Sequence, residues 1–280
     1  MKTGVVDVGG GLRGIYGAGI YDRCLEEQIG FDCCYGVSAG AGNIACFLAG
    51  QKGRDIAFYA EYPFRRQYMS LWNLFTKHVY LDLDYLYKTL SREGGENPLD
   101  YAAIRDNPSE MTVVATNALD GSARYFHKAD LRQDHYEVLC ASSSVPVACK
   151  PYIVGDTPYY DGALSDPVPL QKALDDGCER LVVILTRPRN EAADFRTDRA
   201  AARRIARRYP AAARCLRGRA ALYNKGVADA LALEREGRAL VLSPDDFPPI
   251  QPLKKDSRTL RALYDCGWQA AQAIAPFLAS

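Results

Sequence analysis

Apolar and polar positions along the chain follow two periods. Short, nearly continuous apolar runs at residues 4–8, 33–37, 111–116 and 180–185 are bounded by glycine, serine or charged residues, which predicts buried strands. Between them, apolar residues recur at helical spacing. Residues 15–27 place Ile20, Cys24 and Leu25 on one face, and 44–48, 55–68 up to Pro63, and 136–141 read as further helices. Residues 167–176 predict a helix with proline at its start, closed by Gly177. Asp120-Gly121, between apolar runs at 111–116 and 123–127, predicts a hairpin, and 152–154 a short strand. Strands alternating with helices predict an α/β fold around a mostly parallel, doubly wound sheet. The pattern breaks down at residues 69–87, MSLWNLFTKHVYLDLDYLY, which are dense in aromatics and leucine without a clean period. That stretch reads either as packing between elements or as an apolar wall over a pocket.

After Thr186 the composition changes. Residues 187–225 hold twelve Arg/Lys and three acids, Glu191, Asp194 and Asp198, with Arg203-Arg204 and Arg207-Arg208 at helical spacing. A basic helix lying on anionic lipid is one reading. The apolar residues here are mostly alanine and offer little surface to insert, which favours a solvated helical face. Residues 222–235 read as a helix, 239–242 as a strand and 257–277 as an amphipathic helix. The expected division is a domain at 4–185 and a largely helical extension at 186–280, with a soft boundary.

Length, charge and cysteines narrow the class. At 280 residues the chain can bury a sizeable core. A net charge of +1 gives no reason to expect a nucleic-acid partner. No apolar stretch approaches the roughly 18 residues of a membrane span, and the N-terminus enters a strand pattern without an apolar leader, which argues against secretion. The nine cysteines are odd in number, include no C-x-x-C, and place Cys33 beside Cys34. They read as small buried hydrophobes in a reducing cytoplasm rather than as a disulfide framework or zinc site. Nothing has metal-ligand spacing.

Chemistry concentrates at FDCCYGVSAGAG, residues 31–42. A strand pattern ends in Gly36-Val37-Ser38-Ala39-Gly40 and a helical pattern follows, the context in which G-x-S-x-G forms a nucleophile elbow. The alternative is a glycine- and serine-rich connection without chemistry. A second glycine loop, GGGLRG at 9–14, also runs from a strand into a helix and can aim backbone N–H groups at an anion. It satisfies the dinucleotide pattern G-x-G-x-x-G, but that fold wants an acid near the end of the second strand. Asp32 stands at the start of that strand, and its end is Gly36-Val37-Ser38. A serine nucleophile needs a base. The three histidines, His78, His127 and His135, fall too early for the order Ser, acid, His of an α/β-hydrolase. Asp161, in a turn after a strand, is the best-placed carboxylate.

Four blocks in order, GGGLRG at 9–14, GVSAG at 36–40, ASSSVP at 141–146 and DGA at 161–163, resemble the patatin-like phospholipase family over roughly residues 4–185. The C-terminal part is similar to the family's bacterial branch. The resemblance implies a three-layer α/β/α fold and a Ser–Asp dyad without a catalytic histidine. Ser38 would be the nucleophile, and Asp161 would take its proton and later activate water. Backbone N–H groups around Gly10 and Gly11 would form an oxyanion hole, with Arg13 nearby. Gly9, Gly14, Gly36, Gly40 and Gly162 complete the motifs, with DGA standing where many members have DGG. No metal or organic cofactor is implied. The substrate would be a lipid or other acyl ester, since the family spans phospholipases, lysophospholipases, triacylglycerol lipases and broad acyl hydrolases. The expectation is therefore a cytoplasmic lipid acyl hydrolase, with peripheral membrane contact left open. The alternatives are a non-catalytic lipid-binding or regulatory protein of the same fold and, from another class, a nucleotide-binding protein.

Overall fold

A computed structural model describes residues 1–194 and 197–280. Eight strands form one mixed sheet: β1 (Thr3–Asp7), β2 (Cys33–Val37), β3 (Glu110–Asn117), β4 (Ala123–His127), β5 (Tyr152–Val154), β6 (Thr157–Asp161), β7 (Arg180–Ile184) and β8 (Ala239–Leu242). Strands β3, β2, β1, β7 and β8 run parallel in that order, while β4, β5 and β6 are antiparallel additions. The longer helices are α1 (Ile15–Glu26), α2 (Ala39–Leu48), α3 (Arg54–Ala60), α4 (Leu71–Thr76), α5 (Tyr101–Asp106), α6 (Glu137–Ser142), α7 (Leu170–Asp175), α8 (Asp198–Ile205), α9 (Pro210–Arg235), α10 (Ser257–Ala270) and α11 (Ile274–Ala279).

Successive side chains of a strand point to opposite faces, and both faces are covered here. Val5, Cys34, Val182 and Ile184 pack with α1, α2 and α10. Their chain neighbours Val6, Cys33, Tyr35, Leu181 and Val183 pack with α7 and α9. A fully buried aliphatic side chain contributes about 1.5–3 kcal/mol, so the central strands carry much of the fold's stability. This is the expected mostly parallel α/β/α architecture.

Several boundaries differ from expectation. The helix predicted from 167 begins at Leu170, because Pro169 constrains the residue before it away from helical dihedrals. The helix predicted at 222–235 starts at Pro210, since alanine-rich residues 211–221 favour helix without marking an apolar face. The last helix is interrupted by a turn of 3-10 helix at Ala271–Ala273. Strand β8 pairs with β7, so the C-terminal part completes the main sheet. The basic stretch lies mostly on α8, α9 and the turn between them; Arg203 and Arg204 on α8 and Arg207 and Arg208 in the turn face solvent, and Arg219 pairs with Asp198 at 2.9 Å. Residues 195 and 196 of that stretch lie outside the described residues. All nine cysteines are free thiols, and Cys215 and Cys266 are only partly buried.

Candidate active site

Strand register brings Ser38 and Asp161 together. Strand β4 occupies one edge of β3 from Thr112 to Thr116. Both β2 and β6 must therefore share the opposite edge, end to end. Val37, the last residue of β2, pairs with Val114, and Asp161, the last residue of β6, pairs with Ala115. Ser38 thus leaves its strand where Asp161 arrives, so the serine stands beside the Asp161 carboxyl and favours its charged form. The turn is sharp: Ser38 has φ 56° and ψ −126°, a region whose occupation by a non-glycine residue costs on the order of 1–3 kcal/mol. Gly36 lets α2 close onto the strand, since a Cβ there would stand 2.5 Å from the Ala41 Cα. A Cβ on Gly40 would strike the Asp7 carbonyl and side chain, and one on Gly162 the Val114 carbonyl.

The Ser38 N–H donates to the Ser142 hydroxyl at 2.8 Å, which ties the elbow to the end of α6. Asp161 is 2% exposed, and burial raises its carboxyl above the ordinary aspartate range. The Ser38 hydroxyl, the Ala163 N–H and the positive charge of Arg219 oppose that rise. A buried carboxylate with an elevated pKa is a better proton acceptor than a solvated one.

The glycine loop follows β1 beside this turn. Gly9, Gly10 and Gly11 all have positive φ, at 63°, 128° and 62°. Its anchors are specific. The Gly9 N–H donates to the Asp7 carboxylate at 2.9 Å, and the Thr186 hydroxyl donates to the Gly9 carbonyl. Arg13 Nε donates to the Gly10 carbonyl at 3.3 Å, and the Leu12 N–H to the Pro252 carbonyl at 2.7 Å. Among the described residues the N–H groups of Gly10 and Gly11 have no acceptor. Arg13 lines a separate cleft with Thr186 and Arg187 behind the loop. Burial, then the positive charges of Arg187 and Arg219, push its guanidinium down to about 10. Gly14 closes the loop against Tyr59, whose hydroxyl would lie 2.7 Å from a Cβ there.

Ser38 and Gly11 open onto a cavity enclosing about 780 Å³ of empty space, its open mouth included. Its walls are apolar: Phe58, Tyr68, Met69, Leu83, Leu86 and Tyr87 among them. The aperiodic stretch 69–87 therefore supplies much of this wall. The charged exceptions are Arg54 and Asp55. Asp55 accepts from the Cys46 thiol at 2.9 Å, and burial pushes its carboxyl up to about 7. All three histidines are exposed, and none lines the cavity.

A family profile described as patatin-like phospholipase matches residues 8–174, which include the glycine loop, the elbow and Asp161. The chain belongs to this family. A second profile, a domain of unknown function (DUF6363), matches residues 209–279, which hold α9, β8 and α10. Among curated proteins, the "Uncharacterized protein YjjU" of Escherichia coli (strain K12) is 29% identical over 189 residues, which is 67% of this chain. The chain spans about half of that relative's length, 52%. The crystal structure of VipD from Legionella pneumophila superposes with a TM-score of 0.46 at 13% identity, over 97% of this chain and 66% of that one.

In this patatin-like site some supporting residues escaped the sequence reading. Asp7 is fully buried, and burial pushes its carboxyl up to about 6 against hydrogen bonds from Asn43 and Gly9. Asn43 also donates to the Gly14 carbonyl at 2.9 Å and accepts from Tyr59 at 2.6 Å, so one side-chain network joins loop, elbow helix and cavity wall. The signal available was an acid in an apolar strand, one residue before three glycines. Ser142, within ASSSVP, carried no local mark of its contact with residue 38. Asp32 serves the start of the sheet instead, accepting from the Thr3 N–H at 2.7 Å.

Proposed function

We propose that the protein is a lipid acyl hydrolase that cleaves carboxylic esters through an acyl-enzyme on Ser38. The observation that carries this reading is the strand register that brings Ser38, in the wall of an apolar cavity, beside the buried Asp161. Family membership supports lipid acyl hydrolysis in general. In the proposed reaction Asp161 takes the hydroxyl proton as Ser38 Oγ attacks the ester carbonyl. The developing oxyanion faces the free N–H groups of Gly10 and Gly11, fixed in advance by Asp7, Thr186 and Arg13. Collapse of the tetrahedral intermediate expels the alcohol, which receives the proton from Asp161. Asp161 then takes a proton from water as that water attacks the acyl-serine, and passes it to Ser38 Oγ as the acyl–oxygen bond breaks and the fatty acid leaves. The acyl chain lies along Phe58, Met69 and Leu86, where water is excluded. A phospholipid or lysophospholipid fits this chemistry as substrate.

The test is active-site labelling with a fluorophosphonate. The reading expects one adduct, mapped by mass spectrometry to Ser38 and absent from Ser38→Ala. Wild-type protein left unmodified, while it still binds lipid, would instead identify a non-catalytic lipid-binding protein.

A further inference from the structure

The cavity wall continues outward into a flap. The Ser70 N–H donates to the Tyr80 carbonyl and the Asp82 N–H to the Tyr68 carbonyl, with Met69 bridged to Leu81 between them. Met69 and Leu81 line the cavity. The N–H groups of Tyr80 and Leu81 both reach the Ala148 carbonyl, and Lys255 Nζ donates to the Met69 carbonyl. The flap's base is thus cavity wall, held by residues near 148 and 255. Its tip is α4.

That tip is apolar and uncovered. Leu71 is 66% exposed, Trp72 52% and Phe75 80%, and Leu74 is exposed as well. Val147 and Leu253, beside the two segments that hold the base, are exposed too. Six of the eleven exposed large hydrophobics among the described residues therefore belong to the flap and its two neighbours. A soluble domain rarely gathers its exposed apolar side chains around one opening without a partner.

Cations outnumber acids on this rim, where Asp82 at the flap's base is paired with Lys77. Residues 62–81, 144–155 and 247–255 contain no Asp or Glu, and they carry Arg65, Arg66, Lys77, Lys150, Lys254 and Lys255. Arg65 is paired with Glu96 and Lys77 with Asp82, while Arg66 stacks 3.9 Å from the Trp72 ring centroid. Apolar side chains at a tip, a tryptophan among them, with cations around it, match the two layers of a bilayer surface: acyl boundary below, anionic headgroups above.

We infer that α4 and its rim dock the protein on the surface of an anionic phospholipid bilayer, with the cavity mouth facing the lipid. The inference deepens the hydrolase reading, because lipid as the occupant rests on the cavity being an acyl-chain site. It also moves membrane contact from the basic α8–α9 surface to the opposite kind of surface, one that can insert.

The test uses binding rather than turnover, in the full chain carrying Ser38→Ala. Trp268→Phe leaves Trp72 as the sole tryptophan. Vesicles of phosphatidylcholine with one-third phosphatidylglycerol should shift Trp72 emission to the blue and sediment the protein, less so at high salt. Phe75→Glu and Leu71→Glu, each checked for unchanged circular dichroism, should each weaken partitioning by about tenfold or more. Reversing charge at Arg203, Arg204 and Arg207 should leave it unchanged. No shift with these vesicles, or a shift lost with the arginines and kept in Phe75→Glu, overturns the inference. A protein that docks through α4 yet hydrolyses nothing keeps this inference and loses the hydrolase. Hydrolysis of dispersed short-chain esters without vesicle binding does the reverse.

Discussion

The two sides of the cavity are built on different principles. On the sheet side, nearly every polar atom around Ser38 has an assigned partner: Asp7 for Gly9, Thr186 for the Gly9 carbonyl, Ser142 for the Ser38 N–H. Two N–H groups, on Gly10 and Gly11, are left without an acceptor among the described residues. On the opposite side, α3 and residues 68–90 present apolar surface held by packing, with Arg54 and Asp55 the charged exceptions. Register and hydrogen bonds fix positions to tenths of an ångström, whereas packed aliphatic walls tolerate exchange at similar volume. Changes on the sheet side should therefore act on rate, and changes on the wall should act on substrate choice.

The largest effect belongs to the sheet side. Asp161→Asn keeps the shape and removes the proton acceptor, so kcat should fall by on the order of 10⁴. Adding Ser38→Ala should lower it little further, because residues acting as one unit are non-additive. The base works only when ionised, and burial has raised its carboxyl above the ordinary aspartate range. Activity should therefore rise with pH and be lost as pH falls through that elevated value. A kcat/KM profile flat down to pH 4 would remove Asp161 from the role. An Asp161→Asn protein with unreduced turnover would do the same.

Next in size is the loop. A Cβ on Gly10 would lie 2.5 Å from Thr186 Oγ1, and its φ of 128° is foreign to valine. Gly10→Val should move its N–H off the oxyanion and cost kcat about 10²–10³, the loss of one such donor. KM and the melting temperature should change far less. Wild-type kcat in a folded Gly10→Val protein would put the oxyanion hole elsewhere.

A smaller effect, of another kind, is expected on the wall. Leu86 is buried and lines the cavity. Leu86→Trp should shorten the space for an acyl chain and leave Ser38 untouched. Each methylene excluded is worth about 0.8 kcal/mol, so two lost methylenes should shift the ratio of kcat/KM for long over short esters by roughly tenfold. Equal loss on all chain lengths would mean that the wall acts on the chemistry, and the contrast between the two sides would fail.

The same division decides what was legible in the sequence. Strands β1, β2 and β7 announced themselves because both faces of a parallel sheet are buried, and β2 was read to the residue. Glycines 9–11 and the elbow were legible because positive φ and close approach restrict the residue type. The meeting of Ser38 with Asp161 was not derivable from either motif, because it depends on β2 and β6 sharing one edge of β3, a pairing across more than a hundred residues. The early histidines had pointed to Asp161 as the best-placed carboxylate, and resemblance supplied the dyad. Asp7, Asn43 and Ser142 act through single hydrogen bonds that leave no periodic trace. The wall at 69–87 had no period because it is a flap, with a six-residue helix and a turn of π-helix at Tyr85–Leu90, and neither is long enough to show an amphipathic face.

The smallest expected effect separates the two sides most sharply. If the chemistry belongs wholly to the sheet side, histidine has no part in it. His78 lies on the flap, His127 at the end of β4, and His135 beside Glu137, with its ring nitrogen 3.2 Å from that carboxylate. All three are exposed and none touches the cavity. Replacing all three with glutamine should leave kcat on a dispersed short-chain ester within about twofold, because exposed substitutions rarely alter stability by more than about 0.5 kcal/mol. His78 has φ 58°, where glutamine is less at ease, so any loss should appear first as a lower melting temperature. Turnover should also show no inflection that tracks a histidine. A folded variant in which one His→Gln change abolishes turnover would place the base on a histidine, and Ser38 beside Asp161 would then be a feature of the fold rather than of the reaction.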